Sequence, residues 1–218
     1  MALTESPFKV MHRGEWPGPI TFRRGWARAD ARPWNDVESS ASLRLVRGGG
    51  GFLQACTGRL TAVGAPTVLS PPLPSSAHSP WIEAGYESFL DLALMRLELT
   101  EQPRCPNHLV VDGSDISLSY LLDIDEAAFK PFWRFDEHGM AEALEATGNS
   151  DTLIIRDADG GAAGFAIVGY GSAVAYLQRV AVHPRWQGQG MGRSLVRAAA
   201  RMARKNGAKI MLLNTQYD

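Results

Sequence analysis

The stretch AYLQRVAVHPRWQGQGMGRSLVRAAARMA, from Ala175 to Ala203, is the most informative part of this 218-residue chain. Its first residues are β-branched, aromatic or apolar and predict a strand, which ends at His183-Pro184 because proline cannot donate to a ladder. A glycine-rich loop, Gln187 to Gly192, then leads into a helical pattern. Small residues let a ligand approach the backbone, and the first amides of a helix lack internal partners. The stretch therefore predicts a strand, a phosphate-binding loop and a helix.

Two common phosphate loops do not fit this spacing. The dinucleotide fingerprint requires G-x-G-x-x-G, but the third glycine, Gly192, comes too early. The Walker pattern requires Gly-Lys followed by Ser or Thr, and this loop has no lysine. The alternative to a phosphate-binding loop is a structural turn between strand and helix, in which the glycines only allow close packing.

The pattern Q/R-x-x-G-x-G/A after a strand ending V-x-V-x-P resembles the acetyl-CoA site of the GCN5-related N-acetyltransferases, the GNAT superfamily. Gln187, Gly190 and Gly192 fall on the motif positions. The resemblance covers residues 107–218 and implies an α/β fold with a mixed sheet. It also implies acetyl-CoA as cofactor and an amine as acceptor. The chain stops at Asp218, before the helix and strands that usually complete this fold.

In the resembled family, the cofactor pyrophosphate lies over the loop amides, and the pantetheine arm pairs with the edge of the preceding strand. Here that edge runs from Gln178 to Val182, and backbone groups of Val180 and Val182 would hold the arm. An amide there would also face the thioester oxygen. The resemblance thus implies a cofactor-binding set of Val180, Ala181, Val182, Gln187, Gly188, Gln189, Gly190, Met191, Gly192 and Arg193.

The catalytic residues depart from the usual family pattern. Members often carry a glutamate on the fourth or fifth strand, but the matching positions here are Gln178 and Asn214, and neither side chain can act as a base. Tyr176 and His138 are further candidates, and a solvent-exposed histidine is the competing interpretation of His138. Asp136 and Glu137 are also near enough in sequence to be considered as bases, but both are equally well explained as helix-start residues that complement the helix dipole.

The acceptor site is indicated by two aromatic residues at a helix break. Phe132 and Trp133 lie between the two early helices, where the resembled family builds its acceptor pocket. Core packing is the alternative for both side chains.

The chain divides into two predicted domains. Residues 105–218 read as the GNAT acetyl-CoA-binding domain, in the order β-α-α-β-β-β-α-β, with Ser114 capping the first helix and "HLVV" (108–111) as the first strand. Residues 1–104 predict an accessory, mostly β domain, with a degenerate copy of the same fold as an alternative. In it, "ITFRRGWARA", "SLRLVRG" and "FLQACTGRLTAVG" are predicted strands, and "RGGGGF" (47–52) a hairpin tip and a weak candidate for an anion nest.

The last strand, "KIMLLNT", is too apolar to remain a bare sheet edge. A partner subunit, as in a homodimer, a continuation of the chain, or the N-terminal half could cover it. The segment "SPWIEAGYESFLDLALMRLEL" resembles the helix–Gly-aromatic–strand ending of the family fold. We therefore predict that Leu90 to Leu99 joins or packs against the C-terminal sheet; the alternative is that this segment completes a small N-terminal β domain.

The composition of the chain limits the kinds of binding partner and the cellular compartment that we expect. A net charge of −1 gives no reason to expect nucleic acid or a membrane surface. The two cysteines are too few for a disulfide framework, and they do not have the spacing of a zinc site. The first residues lack the apolar core of a signal peptide. We therefore expect the protein to be cytoplasmic. The arginines of the last helix predict a solvated face, with Arg193, beside the phosphate loop, as the exception.

The sequence as a whole predicts an acyltransferase. It would move an acetyl group from acetyl-CoA to a primary amine of a small molecule or peptide. The alternative is an acyl-CoA-binding pseudoenzyme or regulatory module, favoured by the missing carboxylates and the short C-terminal end.

Overall fold

A computed structural model describes residues 10–217 and divides the chain into two compact units, Met1–Asp91 and Leu92–Asp218. This boundary lies before the one at residue 105 that the sequence suggests. Residues 92–104 belong to the second unit because they begin with a strand of its sheet. None of the helices formed by residues 10–217 has the length and apolar composition needed to cross a bilayer.

Within its described residues, 10–91, the first unit is a five-stranded sheet with two α-helices. Its strands, in spatial as in chain order, are β1 (Met11–Arg13), β2 (Ile20–Arg24), β3 (Ala27–Pro33), β4 (Ala41–Arg47) and β5 (Val68–Leu69). Its helices are α1 (Gly50–Ala62) and α2 (Ser79–Glu83). The pair β4–β5 is parallel, and the other pairs are antiparallel.

Three predictions in this unit were wrong. "FLQACTGRLTAVG" is most of helix α1, whose buried residues Phe52, Leu53, Cys56 and Leu60 follow helical spacing. The glycines of "RGGGGF" are therefore not a hairpin tip; they connect β4 to α1. "ITFRRGWARA" is not one strand but a hairpin, β2–β3, which turns at Gly25 with a φ of 57°.

The second unit is a six-stranded mixed sheet between two helical layers. In spatial order its strands are β6 (Leu92–Glu98), β11 (Ile210–Gln216), β10 (Val174–Val182), β9 (Ala162–Tyr170), β8 (Asn149–Arg156) and β7 (Val111–Asp112). Helices α3 (Leu118–Ala128) and α4 (Glu137–Glu145) pack on one face. Helix α5 (Met191–Lys205) packs on the other face. The mixed α/β class that the sequence predicts is confirmed.

Several local predictions in this unit can be compared directly with the structure. The predicted strand–loop–helix stretch is confirmed, β8 and β9 form a hairpin, and α5 ends just before Gly207, which has a φ of 89°. Ser114 does not cap α3; Ser117 does, by accepting a hydrogen bond from the Tyr120 amide. The first strand starts at Val111 rather than at His108, because β8 pairs only with Val111 and Asp112.

The C-terminal edge is covered by β6, as predicted. Residues Leu92 to Glu98 pair antiparallel with β11 along its whole length, and the Leu99 amide donates to the Lys209 carbonyl at 2.8 Å. The apolar strand β11 is therefore an interior strand, and β6 becomes the edge of the sheet.

The chain then runs back along α5 through residues 99–108, which we call the crossing segment. Arginines of α5 bind it: Arg204 donates to the Leu99 carbonyl at 3.1 Å, Arg201 to the Pro103 carbonyl at 3.0 Å, and Arg197 to Asn107 Oδ1 at 3.0 Å. These three side chains thus bind the crossing segment, while Arg204 remains exposed to solvent, as predicted for this helix face. Their spacing along the helix places them on one stripe, which holds the crossing segment.

The pairing of β6 with β11 can be tested with a pair of proline variants. The hydrogen bond of the Leu99 amide to Lys209 indicates that the Leu97 amide faces β11, while the Arg96 amide faces the open edge. Leu97→Pro should therefore lower the free energy of unfolding by about 1–3 kcal/mol more than Arg96→Pro, because it leaves a ladder acceptor unpaired. Urea titration of both variants measures the difference, and equal losses would contradict the pairing.

Candidate functional site

The site begins with a β-bulge in β10. Strand β10 pairs with β9 through Leu177 and Arg179 but skips Gln178, which is the extra residue. A bulge bends its strand and increases the local twist. Accordingly, β10 pairs with β11 only from Val174 to Tyr176, and the two strands diverge beyond that point.

The divergence leaves one edge of β10 open over its second half. The His183 amide donates to Ala163 of β9 at 2.9 Å, so the backbone groups of the preceding residue, Val182, point away from β9. By the same alternation those of Val180 also face the open edge, whereas those of Ala181 face β9. The Val182 carbonyl is already bound, since it accepts from Gln187 Nε2 at 2.9 Å. The Gln187 side chain thus ties the loop to the end of the strand.

The loop after β10 presents unpaired amides at the start of α5. Gly188 and Gly190 have φ angles of 77° and 84°, which residues other than glycine rarely adopt. Among the described residues, the amides of 188–193 have no hydrogen-bond acceptor. A Cβ placed on Gly188 would meet nothing within 4 Å. Arg193 is exposed in the first turn of the helix. Free amides and the positive end of the helix dipole make this surface suited to an anion.

A small cavity of about 110 Å³ lies where β10 and β11 diverge. Three of the predicted catalytic candidates, Tyr176, Gln178 and Asn214, come together around it. The remaining lining residues are Leu94, Leu177, Leu212 and Leu213. None of these described lining residues is an Asp, Glu or His. His138 is not among them and lies exposed in the first turn of α4.

Leu94 is a contribution that the sequence did not reveal. The pairing of β6 with β11 puts Leu94 opposite Asn214, so a residue from far upstream lines the cavity.

A larger cavity of about 550 Å³ lies between α5, β8 and the crossing segment, and none of the predicted site residues lines it. Although this cavity is larger, we do not assign the functional site to it, because it lacks the open strand edge and the free amides.

A buried ion pair connects the bulged strand to the helical layer. Asp125 of α3 is fully buried, and the Arg179 side chain is 10% exposed. Arg179 Nε and Nη2 donate to the two oxygens of this carboxylate at 2.6 and 2.8 Å. Its guanidinium also lies between two aromatic rings, 3.5 Å from the Phe129 centroid and 3.9 Å from that of Phe135.

The same ion pair positions the predicted acceptor residues. Arg179 Nη2 donates to the Trp133 carbonyl at 2.7 Å, and the Phe135 amide donates to Asp125 Oδ1 at 2.7 Å. The segment between α3 and α4 is thereby attached to Arg179 of the sheet and to Asp125 of α3. Phe132 and Trp133 are half-buried there and form an edge-to-face pair with centroids 4.9 Å apart.

Sequence reasoning missed Arg179 and Asp125. A strictly alternating strand places Arg179 on the same face as Leu177, against α5, but the bulge turns it to the α3–α4 face. A usable signal was Asp125 itself, because Leu121, Ile124 and Asp125 share the buried face of α3. A carboxylate on an apolar stripe indicates a buried cation nearby.

Asp136, by contrast, is the N-cap of α4, where it accepts from the Gly139 amide at 2.7 Å. This agrees with the helix-start interpretation of that residue.

Comparison with known protein families gives a match over the C-terminal part of the chain. Residues 118–218 match the model of the Acetyltransferase (GNAT) family. No curated protein sequence matches the chain.

Solved structures resemble more of the chain than the family model covers. A GCN5-related N-acetyltransferase from Sphaerobacter thermophilus aligns with 93% of this chain and 72% of its own, at 18% identity and a TM-score of 0.58. A tandem GNAT protein from the clavulanic acid biosynthesis pathway aligns with 92% of this chain and 74% of its own, at 14% identity and a TM-score of 0.60. At such identities the likeness shows a shared fold.

The buried ion pair yields a stability prediction. Arg179→Met leaves the Asp125 carboxylate buried without its partner, which should lower the free energy of unfolding by about 3–5 kcal/mol. The control is Arg156→Met, since the ion pair of Arg156 with Asp115 is exposed and should contribute at most about 1 kcal/mol. Adding Asp125→Leu to Arg179→Met should recover part of the loss, because it removes the unpaired charge but leaves the Phe135 amide and the Trp133 carbonyl without these partners. Urea titration measures all three variants, and a cost below about 1 kcal/mol for Arg179→Met would contradict this account.

Proposed function

The C-terminal half of this chain is a GNAT domain, and we propose that the protein is an acetyl-CoA-dependent N-acetyltransferase. The acceptor in this proposal is a primary amine of a small molecule or a peptide. The observation that carries it is the open edge of β10 beside a loop of free amides. An extended chain with amide groups fits that edge, and a pyrophosphate fits the loop.

The residues available for the cofactor follow from this geometry. The amides of residues 188–193 would hold the pyrophosphate, with Arg193 adding positive charge at the helix start. The Val180 N–H and C=O and the Val182 N–H would hold the pantetheine arm. Gln187 acts indirectly, because its side chain occupies the Val182 carbonyl. When bound, acetyl-CoA supplies an acetyl group activated as a thioester.

The cavity residues have limited acid–base chemistry. Gln178 and Asn214 carry amides, which can orient a water or an amine but cannot take its proton at neutral pH. Tyr176 carries the single ionisable side chain among the described residues that line the cavity, and we propose it as the proton donor to the departing thiolate. The acceptor amine then arrives neutral or loses its proton to water.

The acceptor side of the site is assigned to the segment between α3 and α4. Arg179 attaches Trp133 to the bulged strand, so the aromatic pair Phe132–Trp133 is held in a defined place relative to the open edge. Half-buried aromatic rings suit an acceptor with an apolar or aromatic portion beside its amine.

The second candidate function is an acyl-CoA-binding protein without turnover. The observation that favours it is the lack of a carboxylate or imidazole among the described residues that line the cavity. Both candidates predict cofactor binding, so a binding assay does not separate them. Release of free thiol from acetyl-CoA in the presence of a panel of amines does, because only the enzyme produces it.

For the first unit we propose a degenerate copy of the same fold. Strands β3 and β4, helix α1 and the parallel strand β5 repeat the order of β9, β10, α5 and β11. In the corresponding loop, however, Gly50 is covered by α2, although its neighbours Gly49 and Gly51 are open. A Cβ on Gly50 would lie 2.4 Å from Glu83 Cβ and 3.0 Å from the Pro80 carbonyl oxygen, so α2 packs on the first turn of α1. Because this contact covers part of the first loop, we propose that only the second unit binds the cofactor.

A glycine substitution tests the cofactor loop. Gly190→Val should lose about 3–6 kcal/mol of acetyl-CoA binding, because the side chain obstructs two charge-assisted hydrogen bonds. Gly207→Val is the matched control: it places valine at a φ of 89° with nothing within 4 Å of its Cβ, at the other end of α5. Titration calorimetry should give one site per chain for the parent and for Gly207→Val. Unchanged affinity in a folded Gly190→Val variant would show that the loop is misassigned.

The pH dependence of turnover tests the missing base. We expect kcat/KM to rise with pH toward the pKa of the acceptor amine, and to shift when an amine of different pKa is used. An acid limb near pH 6–7 that is independent of the amine and vanishes in His138→Ala would instead identify a protein base.

A further inference from the structure

The crossing segment brings His108 to the phosphate loop. His108 is partly buried, and its Cε1 lies 3.8 Å from the position that a Cβ would take on Gly190, the N-cap of α5. The ring therefore lies beside Gly190, in the middle of the loop of free amides. Sequence reasoning assigned His108 to a strand and gave it no role.

Ser194 defines the tautomer of this ring. Ser194 is 1% exposed, and its Oγ accepts from the amides of Asn107 at 3.1 Å and His108 at 3.3 Å. A hydroxyl oxygen has two lone pairs, so the Ser194 O–H remains to donate to His108 Nδ1, 3.0 Å away. The neutral ring then carries its proton on Nε2, which neighbours Cε1 on the side away from Nδ1 and Ser194.

We propose that His108 is a phosphate-binding residue, with Nε2–H donating a hydrogen bond to a phosphate of the cofactor held at the Gly188–Arg193 loop. This inference rests on the proposed function, since it assumes a CoA-type ligand there. The ligand group is either the pyrophosphate or the 3′-phosphate of the adenosine. A donor already oriented by Ser194 and by the arginine-bound crossing segment loses little freedom when it binds.

Two isosteric substitutions separate a binding role from a structural one. His108→Asn keeps a polar atom near the position of Nδ1, and with it the contact to Ser194, but loses the Nε2 donor. His108→Gln places an amide N–H near Nε2 and loses the contact to Ser194. A phosphate-binding His108 therefore predicts that His108→Asn binds acetyl-CoA about 10- to 100-fold more weakly, while His108→Gln stays within a few-fold of the parent.

Titration calorimetry of the parent and both variants makes the measurement, with His78→Ala of the first unit as a control expected to match the parent. Comparing CoA with 3′-dephospho-CoA identifies the phosphate: equal effects of His108→Asn on both ligands indicate the pyrophosphate. Failure of the parent to bind acetyl-CoA would overturn the proposed function and this inference with it. Normal binding by the parent and equally by His108→Asn would overturn this inference alone, as would a loss confined to His108→Gln.

The unmutated protein offers a second measurement that does not depend on a variant folding. The ¹⁵N NMR resonance of His108 Nε2 should move when CoA is added. It should not move with pantetheine, which lacks all phosphates. Equal shifts with the two ligands, or no shift with a saturating amount of CoA, would contradict a phosphate contact.

Discussion

The β-bulge at Gln178 is the constraint on which the rest of the site depends. One extra residue in β10 ends its pairing with β11 after Tyr176 and opens the strand edge. The same residue reverses the alternation of side chains, so Arg179 leaves the α5 face and reaches Asp125 on the opposite layer. The open edge and the attachment of the segment between α3 and α4 are thus two consequences of one local irregularity.

The ion pair of Arg179 and Asp125 is better understood as a positioning device than as a source of stability. Desolvation of two buried charges offsets much of their attraction, so an apolar pair of similar volume could stabilise the fold equally well. An apolar pair would not bind the Trp133 carbonyl or the Phe135 amide. The polar solution therefore sets the course of the segment that carries Phe132 and Trp133.

Residues 92–108 connect three parts of the second unit: the edge of its sheet, helix α5 and the loop that precedes α5. Strand β6 covers β11 and contributes Leu94 to the cavity. The crossing segment then follows α5 along its arginine stripe and ends with His108 at the start of that helix. A rigid connection of this kind suits a site made largely of backbone groups, because their positions depend on how strands and helices are held.

The sequence by itself determined the local features whose signals lie within a few residues. The β10–loop–α5 stretch, the β8–β9 hairpin, the α/β class and the joining of Leu92–Glu98 to the sheet were all predictable from periodicity, glycine placement and an apolar edge that needed cover. Helix α1 was missed although its buried residues follow helical spacing, because its threonines and the Val63 that follows it resemble a strand.

Only the tertiary structure revealed the bulge, the pairing of Arg179 with Asp125, and the approach of Leu94 and His108 to the site. The physical reason is that each depends on a register or a contact between segments far apart in the chain. A one-residue change in register moves side chains to the other face of a sheet, and no local pattern records it.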